Sequence, residues 1–328
     1  MGRIAINFLA ALLVLSGPGC GVSSDKTETP HGRSFDEIAA SLARLNDESI
    51  LKKYPRKPPV HSLETTASLV LMTRHMMLDS APDFAHRFAT MGVDADGRSV
   101  NEIQFEELSD PSTGGSVQAD LRSFATPVKN QGERPTCTAF SAVGALEFEV
   151  KRRFGLEFDL SEEQYWHRYG QGRWDAGLAF AAVDYLIPEA QWPYGKIFNQ
   201  AEAPTRIARI TGAKALTAYQ DTRAALGSRA HPVILITEEN ETWGWAFQKE
   251  TQGLLGYQNQ SKQGAHALLA VGIVENPIAP GGGFFILKNS WGTQWGDAGF
   301  AYMPFAYCQK MGCSGFEVTD VDMFAQTR

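Results

Sequence analysis

The pattern of apolar residues changes character partway along this chain, and that change limits the fold more than any other feature. Cys137 to Phe154 contains no proline, and Phe140, Val143, Leu146 and Val150 recur at helical spacing. Gly155 follows where a helix C-cap would fall. Leu178 to Leu186 reads as a second helix. The C-terminal third instead carries short apolar runs bounded by Gly and Pro: Pro232–Thr237, Ala267–Val274, Phe284–Leu287 and Phe300–Met303. Helices first and strands later predicts an α+β protein with two lobes, about 120–220 and 221–328.

A different organisation precedes these lobes. Ile4 to Leu15 is a short apolar run after Arg3, followed by Ser16, Gly17, Gly19 and Cys20. That is the pattern of a secretory signal, and the run is too short to span a bilayer, which takes about 20 residues. Cys20 directly after it resembles a bacterial lipoprotein processing site, although Gly17 stands where such sites prefer Leu. The expectation is export to the periplasm, cell envelope or exterior, with lipid anchoring to the membrane through Cys20 or ordinary cleavage as the two outcomes. Residues 21–33 read as a polar tether. Ser34 to Glu37 has capping-box form, with Phe35, Ile38, Leu42 and Leu45 on one helical face. A second helical stretch is expected over about 62–91, broken at Pro82. Residues 34–108 therefore form a mainly helical N-terminal region, and residues 109–119 a Ser/Gly/Pro-rich linker. A removed propeptide and a retained accessory unit both stay open.

Composition narrows the function. A formal charge of −7 argues against a nucleic-acid binder, which needs a basic surface to displace counterions. Four cysteines are too few for a disulfide framework in 328 residues. They leave room for one bridge and one working thiol. No CxxC or HExxH spacing exists, so no metal is expected. Gly281-Gly282-Gly283 reads as a hairpin-type turn rather than a phosphate loop.

Four segments carry the chemistry: PVKNQGERPTCTAFSAV (127–143), LSEEQ (160–164), GAHALLAVGIV (264–274) and FILKNSWGTQWG (285–296). Together they resemble the papain-like cysteine peptidases, over roughly Asp120 to Arg328. His266 and Asn289 fall about 130 and 150 residues beyond Cys137, the separation expected for that family. The resemblance implies a papain-like two-lobe α+β fold, with a helical left lobe, a β-barrel-like right lobe and the active-site cleft between them. It implies amide hydrolysis of peptide or protein substrates through a thioester acyl-enzyme, with no cofactor.

The residues fit this chemistry on their own terms. Cys137 begins a predicted helix, where unpaired N–H groups and the helix dipole favour an anion, so its thiol is expected to ionise easily. His266 would pair with the thiolate, protonate the leaving amine and later activate water. Asn289 resembles the residue that orients the imidazole, and Trp291 the indole that shields that hydrogen bond. Gln131 resembles the oxyanion donor, together with the Cys137 N–H. Gln171 and Gly172 match the cleft wall. Val318, by its distance after Cys313, is expected near the floor of an apolar specificity pocket. A local Cys308–Cys313 bridge is expected outside the cytoplasm, with two free thiols as the alternative.

The chain also departs from the family pattern. Arg134 stands where the first cysteine of Cys-Gly-Ser/Ala-Cys-Trp/Tyr would be, and Thr138 replaces the aromatic. The usual bridge from that loop cannot form. Two rival functions follow: a catalytically inactive papain-like domain that binds peptides or proteins, and an acyl transferase using the same thiol. Oligomeric state is not legible.

Overall fold

The computed structural model describes residues 29–45, 118–170, 184–198, 203–240, 242–245, 252–257 and 264–324. Cys20, Gln171, Gly172 and the helical stretch expected over 62–91 lie outside these residues. The elements run α1 (Phe35–Leu45), β1 (Gln118–Asp120), α2 (Cys137–Phe154), α3 (Glu162–Tyr165) and β2 (Ala208–Leu216). There follow α4 (Tyr219–Arg229), β3 (Val233–Glu239), α5 (Thr242–Trp245), β4 (Gly264–Glu275), β5 (Gly283–Lys288), β6 (Phe300–Pro304), α6 (Phe305–Met311) and β7 (Cys313–Met323).

The α2 helix forms where its periodicity predicts. Gly155 closes it in the left-handed conformation (φ 68°), its N–H donating to the Lys151 carbonyl at 2.9 Å. Lys151, Arg152 and Arg153 fill the last turn, where cations oppose the negative end of the dipole. Nearly every side chain from Cys137 to Val150 is buried, not one stripe alone. At about 1.5–3 kcal/mol for each large apolar side chain, packing rather than propensity holds this helix.

The four apolar runs become β3, β4, β5 and β6. They belong to one antiparallel sheet in the order β2-β7-β3-β4-β5-β6, with β1 added on β4. The β2 and β7 strands were not expected. They pair with each other and mix apolar with polar residues (ARITGAKAL and CSGFEVTDVDM), so neither shows an apolar run. Their pairing corrects the expected lobe boundary near 220: β2 precedes it in sequence yet is hydrogen-bonded into the sheet. The expected linker likewise ends early, because Gln118 and Ala119 pair with Val274 and Ile273. The expected helix from Leu178 to Leu186 falls mostly outside the described residues. Its described end is not helical, and the Leu186 N–H donates to the Ala208 carbonyl at 2.8 Å.

The β4 strand organises the sheet. Its first half pairs with β3, from Glu239 opposite Gly264 to Val233 opposite Ala270. An irregularity at Ala270–Gly272 bends it, and its second half pairs with β5 and β1. Gly272 is required there, since a Cβ would sit 2.8 Å from the Ala119 carbonyl oxygen.

At the N-terminus, the Ser34 N–H donates to Glu37 Oε2 at 2.7 Å and the Glu37 N–H to Ser34 Oγ at 3.3 Å. The capping box is thus formed. The apolar face of α1 is buried against the sheet domain: Phe35 meets Phe284 edge-on at 6.0 Å, and Leu45 packs on Gly256. Polar contacts flank it. Arg33 Nη2 donates to the Gln252 carbonyl at 2.6 Å, His31 pairs with the buried Asp297, and Asn276 Nδ2 donates to Asp36 at 2.8 Å.

Candidate active site

The loop before α2 is stapled to the loop after β5. Gln131 N–H donates to the Ser290 carbonyl at 2.8 Å, and Gly292 N–H to the Lys129 carbonyl at 3.0 Å. Asn130 and Trp291 form a β-bridge between them. The buried Gln131 amide is oriented by two bonds: Ser290 Oγ donates to its Oε1 at 2.6 Å, and its Nε2 donates to the Arg134 carbonyl at 2.8 Å. Ser290, between Asn289 and Trp291, turns the Gln131 amide, a role that only the folded loop makes visible.

Beneath this staple lies a buried charge cluster. Lys129 Nζ reaches Glu147 Oε1 at 3.1 Å and Glu162 Oε1 at 2.7 Å, and Lys288 Nζ donates to Thr126 Oγ1 at 3.1 Å. Burial pushes the Lys288 amine down to about 8 and pushes the Glu162 carboxyl up, against the pull of Lys129. Lys129 lies two residues before Gln131 and Lys288 one residue before Asn289, so the cluster fixes both loops.

Arg134 sits where the family's bridging cysteine would be and replaces a covalent tie with an ionic one. Its Nη1 and Nη2 meet Glu163 Oε2 and Oε1 at 2.5 and 3.0 Å, and its guanidinium lies 4.5 Å from the Tyr194 ring centroid. The Tyr194 hydroxyl donates to the Gln131 carbonyl at 2.9 Å and lies 2.6 Å from Thr136 Oγ1. Thr136 is the N-cap of α2, and its side chain makes no cap bond. The first N–H groups of α2 therefore stay open to an anion at Cys137.

Cys137 is buried, 3% exposed, at that N-terminus. The backbone N–H dipoles of Ala267, Thr138 and its own residue act on the sulfur and favour its anion. Ala267 directly follows His266 on β4, so the strand that carries the imidazole also supplies an N–H that acts on the thiol. Burial nonetheless dominates and pushes the thiol up to about 11, with Glu239 adding to the rise. This differs from the easily ionised thiol expected at a helix start. The helix contributes its N–H groups, but the sheet packed over the sulfur removes water.

His266 lies on β4 opposite Thr237. Its Nε2 is 2.7 Å from Asn289 Oδ1, and the Ser290 N–H donates to the same oxygen at 2.8 Å. A backbone N–H must donate, so that atom is the amide oxygen and His266 Nε2 carries a proton. Trp291 lies 4.8 Å from the imidazole, ring to ring, and Trp243 meets it edge-on at 5.6 Å. Trp243 is anchored in turn, its Nε1 donating to the Tyr307 hydroxyl at 2.8 Å, and it stacks on Trp295. Trp243 and Glu239, whose Oε1 is 3.6 Å from His266 Nδ1, were not identified from sequence. Glu239 ends β3 and Trp243 follows it on α5, so the pairing of β3 with β4 brings this stretch to His266.

Cys308 and Cys313 are joined by a disulfide that ties α6 to β7. Val318 is fully buried within β7, its N–H on the Pro232 carbonyl at 3.3 Å. Among the described residues no cluster of His, Cys, Asp or Glu is suited to a metal.

The family model described as papain family cysteine protease matches residues 116–315. The senescence-specific cysteine protease SAG12 of Arabidopsis thaliana is 28% identical over 233 residues, covering 66% of this chain and 64% of that protein. A cathepsin L-like peptidase of Aedes aegypti is 28% identical over 217 residues, 63% of each chain. The match thus spans just under two thirds of either relative. A solved clostridial cysteine protease, in its form after propeptide cleavage, shares the fold with a TM-score of 0.51 and 20% identity, over 62% of this chain and 57% of that one. On the match of residues 116–315, the chain belongs to the papain family of cysteine proteases.

Proposed function

We propose that this chain is an exported cysteine endopeptidase that cleaves peptide bonds through Cys137, His266, Asn289 and Gln131. One observation carries the reading. The Cys137 thiol is buried at the start of α2 under the influence of the Ala267 N–H, the residue after His266, whose Nε2 is fixed by Asn289 at 2.7 Å. That leaves His266 Nδ1 as the nitrogen available to exchange a proton.

The reaction runs in two halves. The Cys137 sulfur attacks the scissile carbonyl carbon, and the carbonyl oxygen becomes an oxyanion facing Gln131 Nε2–H and the Cys137 N–H. His266 gives its Nδ1 proton to the leaving amine as the C–N bond breaks, which leaves a thioester. Water then gives a proton to Nδ1 while its oxygen attacks the thioester carbon. The C–S bond breaks and the acid departs. Asn289 keeps the ring in place without itself taking a proton. A buried thiol favours its neutral form, so the nucleophilic thiolate depends on the imidazolium as counter-ion.

The apolar run and Cys20 at the N-terminus support export, and the Cys308–Cys313 bridge fits an oxidising compartment. A non-catalytic binding domain would share the buried neutral thiol, and an acyl transferase would share the whole constellation. Digestion of a peptide library by the purified full chain separates the first from the proposal. Cleavage is expected, and Cys137→Ala and His266→Ala are each expected to abolish it. Undiminished cleavage by either variant would overturn the assignment. Product masses with and without an added amine separate hydrolysis from transfer.

A further inference from the structure

The imidazole of His266 has two edges, and the chain has spent them differently. The Nε2 edge is committed to Asn289. The Nδ1 edge faces a carboxylate: Glu239 Oε1 lies 3.6 Å away. Glu239 ends β3, two residues beyond Thr237, the register partner of His266. It is 5% exposed. Among the described residues no Lys or Arg lies within ion-pair distance of it, so the imidazolium is its counter-ion.

The titratable groups around it come from four elements: Cys137 at the start of α2, His266 on β4, Tyr307 on α6 and Glu238 beside it on β3. Cys137 and Tyr307 are both raised in part by the charge on Glu239, which places the carboxylate within electrostatic reach of the sulfur. Burial alone pushes the Glu239 carboxyl up to about 8. A proton on Glu239 therefore competes with a proton on Cys137 near neutral pH, rather than being lost far below it.

We propose that Glu239 is a third member of the proton-sharing unit, acting through His266, and that it competes with Cys137 for the single positive charge of the imidazolium. The inference rests on the reading of Cys137 and His266 as nucleophile and proton partner. With two protons shared at Sγ, Nδ1 and the carboxylate, and Nε2–H held throughout, two resting forms have equal charge. One is thiol, imidazolium and carboxylate; the other is thiolate, imidazolium and carboxylic acid. They interconvert when the S–H bond breaks and an O–H bond forms on Glu239, with no external acid or base. The first form stores the nucleophile as a neutral thiol. Glu239 is a positioning residue for charge and does not touch the substrate.

Three coupled groups titrate differently from two. The test is the rate of Cys137 alkylation by iodoacetamide from pH 3 to 10, on the full chain, read at the Cys137 peptide by mass spectrometry so that Cys20 does not contribute. The unaltered protein is expected to give two rises, the first to a partial plateau at mildly acidic pH and the second above neutral. Glu239→Gln keeps the shape and removes the competing proton site. It is expected to give one rise to the full rate, with alkylation at pH 6 faster by about tenfold, the effect of one pKa unit. Glu239→Ala should behave alike. The stability readout has a defined sign. A carboxyl raised from 4.5 to about 8 on folding contributes stability that is present at low pH and lost as pH rises through that window. The melting temperature of Glu239→Gln should thus gain on that of the unaltered protein between those values.

A single rise in the unaltered protein overturns the proposal even if no variant folds. Superimposable profiles, or two rises in both proteins, overturn it as well. Peptide cleavage in the same samples separates the two levels. Cleavage that is lost on alkylation, with superimposed profiles, leaves the peptidase standing and removes Glu239. The two-rise pattern without any cleavage removes the peptidase and leaves the charge sharing.

Discussion

The two halves of the site are held by opposite physics. Around His266 the supports are dry and aromatic: Trp291 and Trp243 flank the imidazole, and Trp295 packs on both indoles. Around Gln131 and Cys137 they are polar and charged: Arg134 on Glu163, Lys129 among Glu147 and Glu162, and Tyr194 on the loop carbonyl. An apolar box cannot compete for the imidazole's protons, so Asn289 and the Nδ1 partners alone decide where they sit. A loop that must aim N–H groups at an oxyanion needs directional bonds, and hydrogen bonds and ion pairs supply direction where packing does not. The difference teaches that the first half should respond to lost volume and the second to lost charge or direction.

Three substitutions test that contrast. The largest effect is expected from Trp243→Ala, which empties the box and leaves the Tyr307 hydroxyl without its indole donor. A loss of about 3–5 kcal/mol is expected, as for other buried aromatic truncations, and chemical denaturation should show it equally at low and high salt. Gln131→Ala should cost about 1–3 kcal/mol of stability, because the buried Ser290 hydroxyl loses its acceptor, and lower kcat by about 10²–10³, the effect of one oxyanion donor. A comparable rise in KM with kcat intact would mean that Gln131 serves binding instead. Arg134→Met should have the smallest effect. It cuts the tie to Glu163 and leaves a 3%-exposed carboxylate with only His167 and the Gly195 N–H, at a cost of about 1–3 kcal/mol. Its gap from the parent should shrink as salt rises. A salt-independent gap would place Arg134 among the packing residues and erase the contrast.

Much of this was readable from the chain because the informative residues are local. The stretch around Asn289 and the helix from Cys137 announce themselves within a dozen residues. Cys137, His266, Asn289 and Gln131 were each named from such segments, and the structure links Gln131 to Asn289 through Ser290, and Asn289 to His266. What was not readable depends on pairing between distant segments. Glu239 reaches His266 because β3 and β4 pair, and Tyr194 reaches Gln131 across more than sixty residues of chain. The β2 and β7 strands escaped notice because they carry polar residues among the apolar ones. The state of the thiol escaped for a related reason. A helix start is visible in sequence, but the sheet that dries it is not.

The seating of α1 has a consequence for any proteolytic processing of this chain. Phe35, Ile38, Leu42 and Leu45 are core residues, each worth about 1.5–3 kcal/mol when fully buried. A cut between Leu45 and Gln118 would therefore not liberate the helix. The product would be a two-chain protein, migrating as one species under native conditions and as two fragments in detergent, with the short fragment retained by packing and by the polar contacts of His31, Arg33 and Asp36.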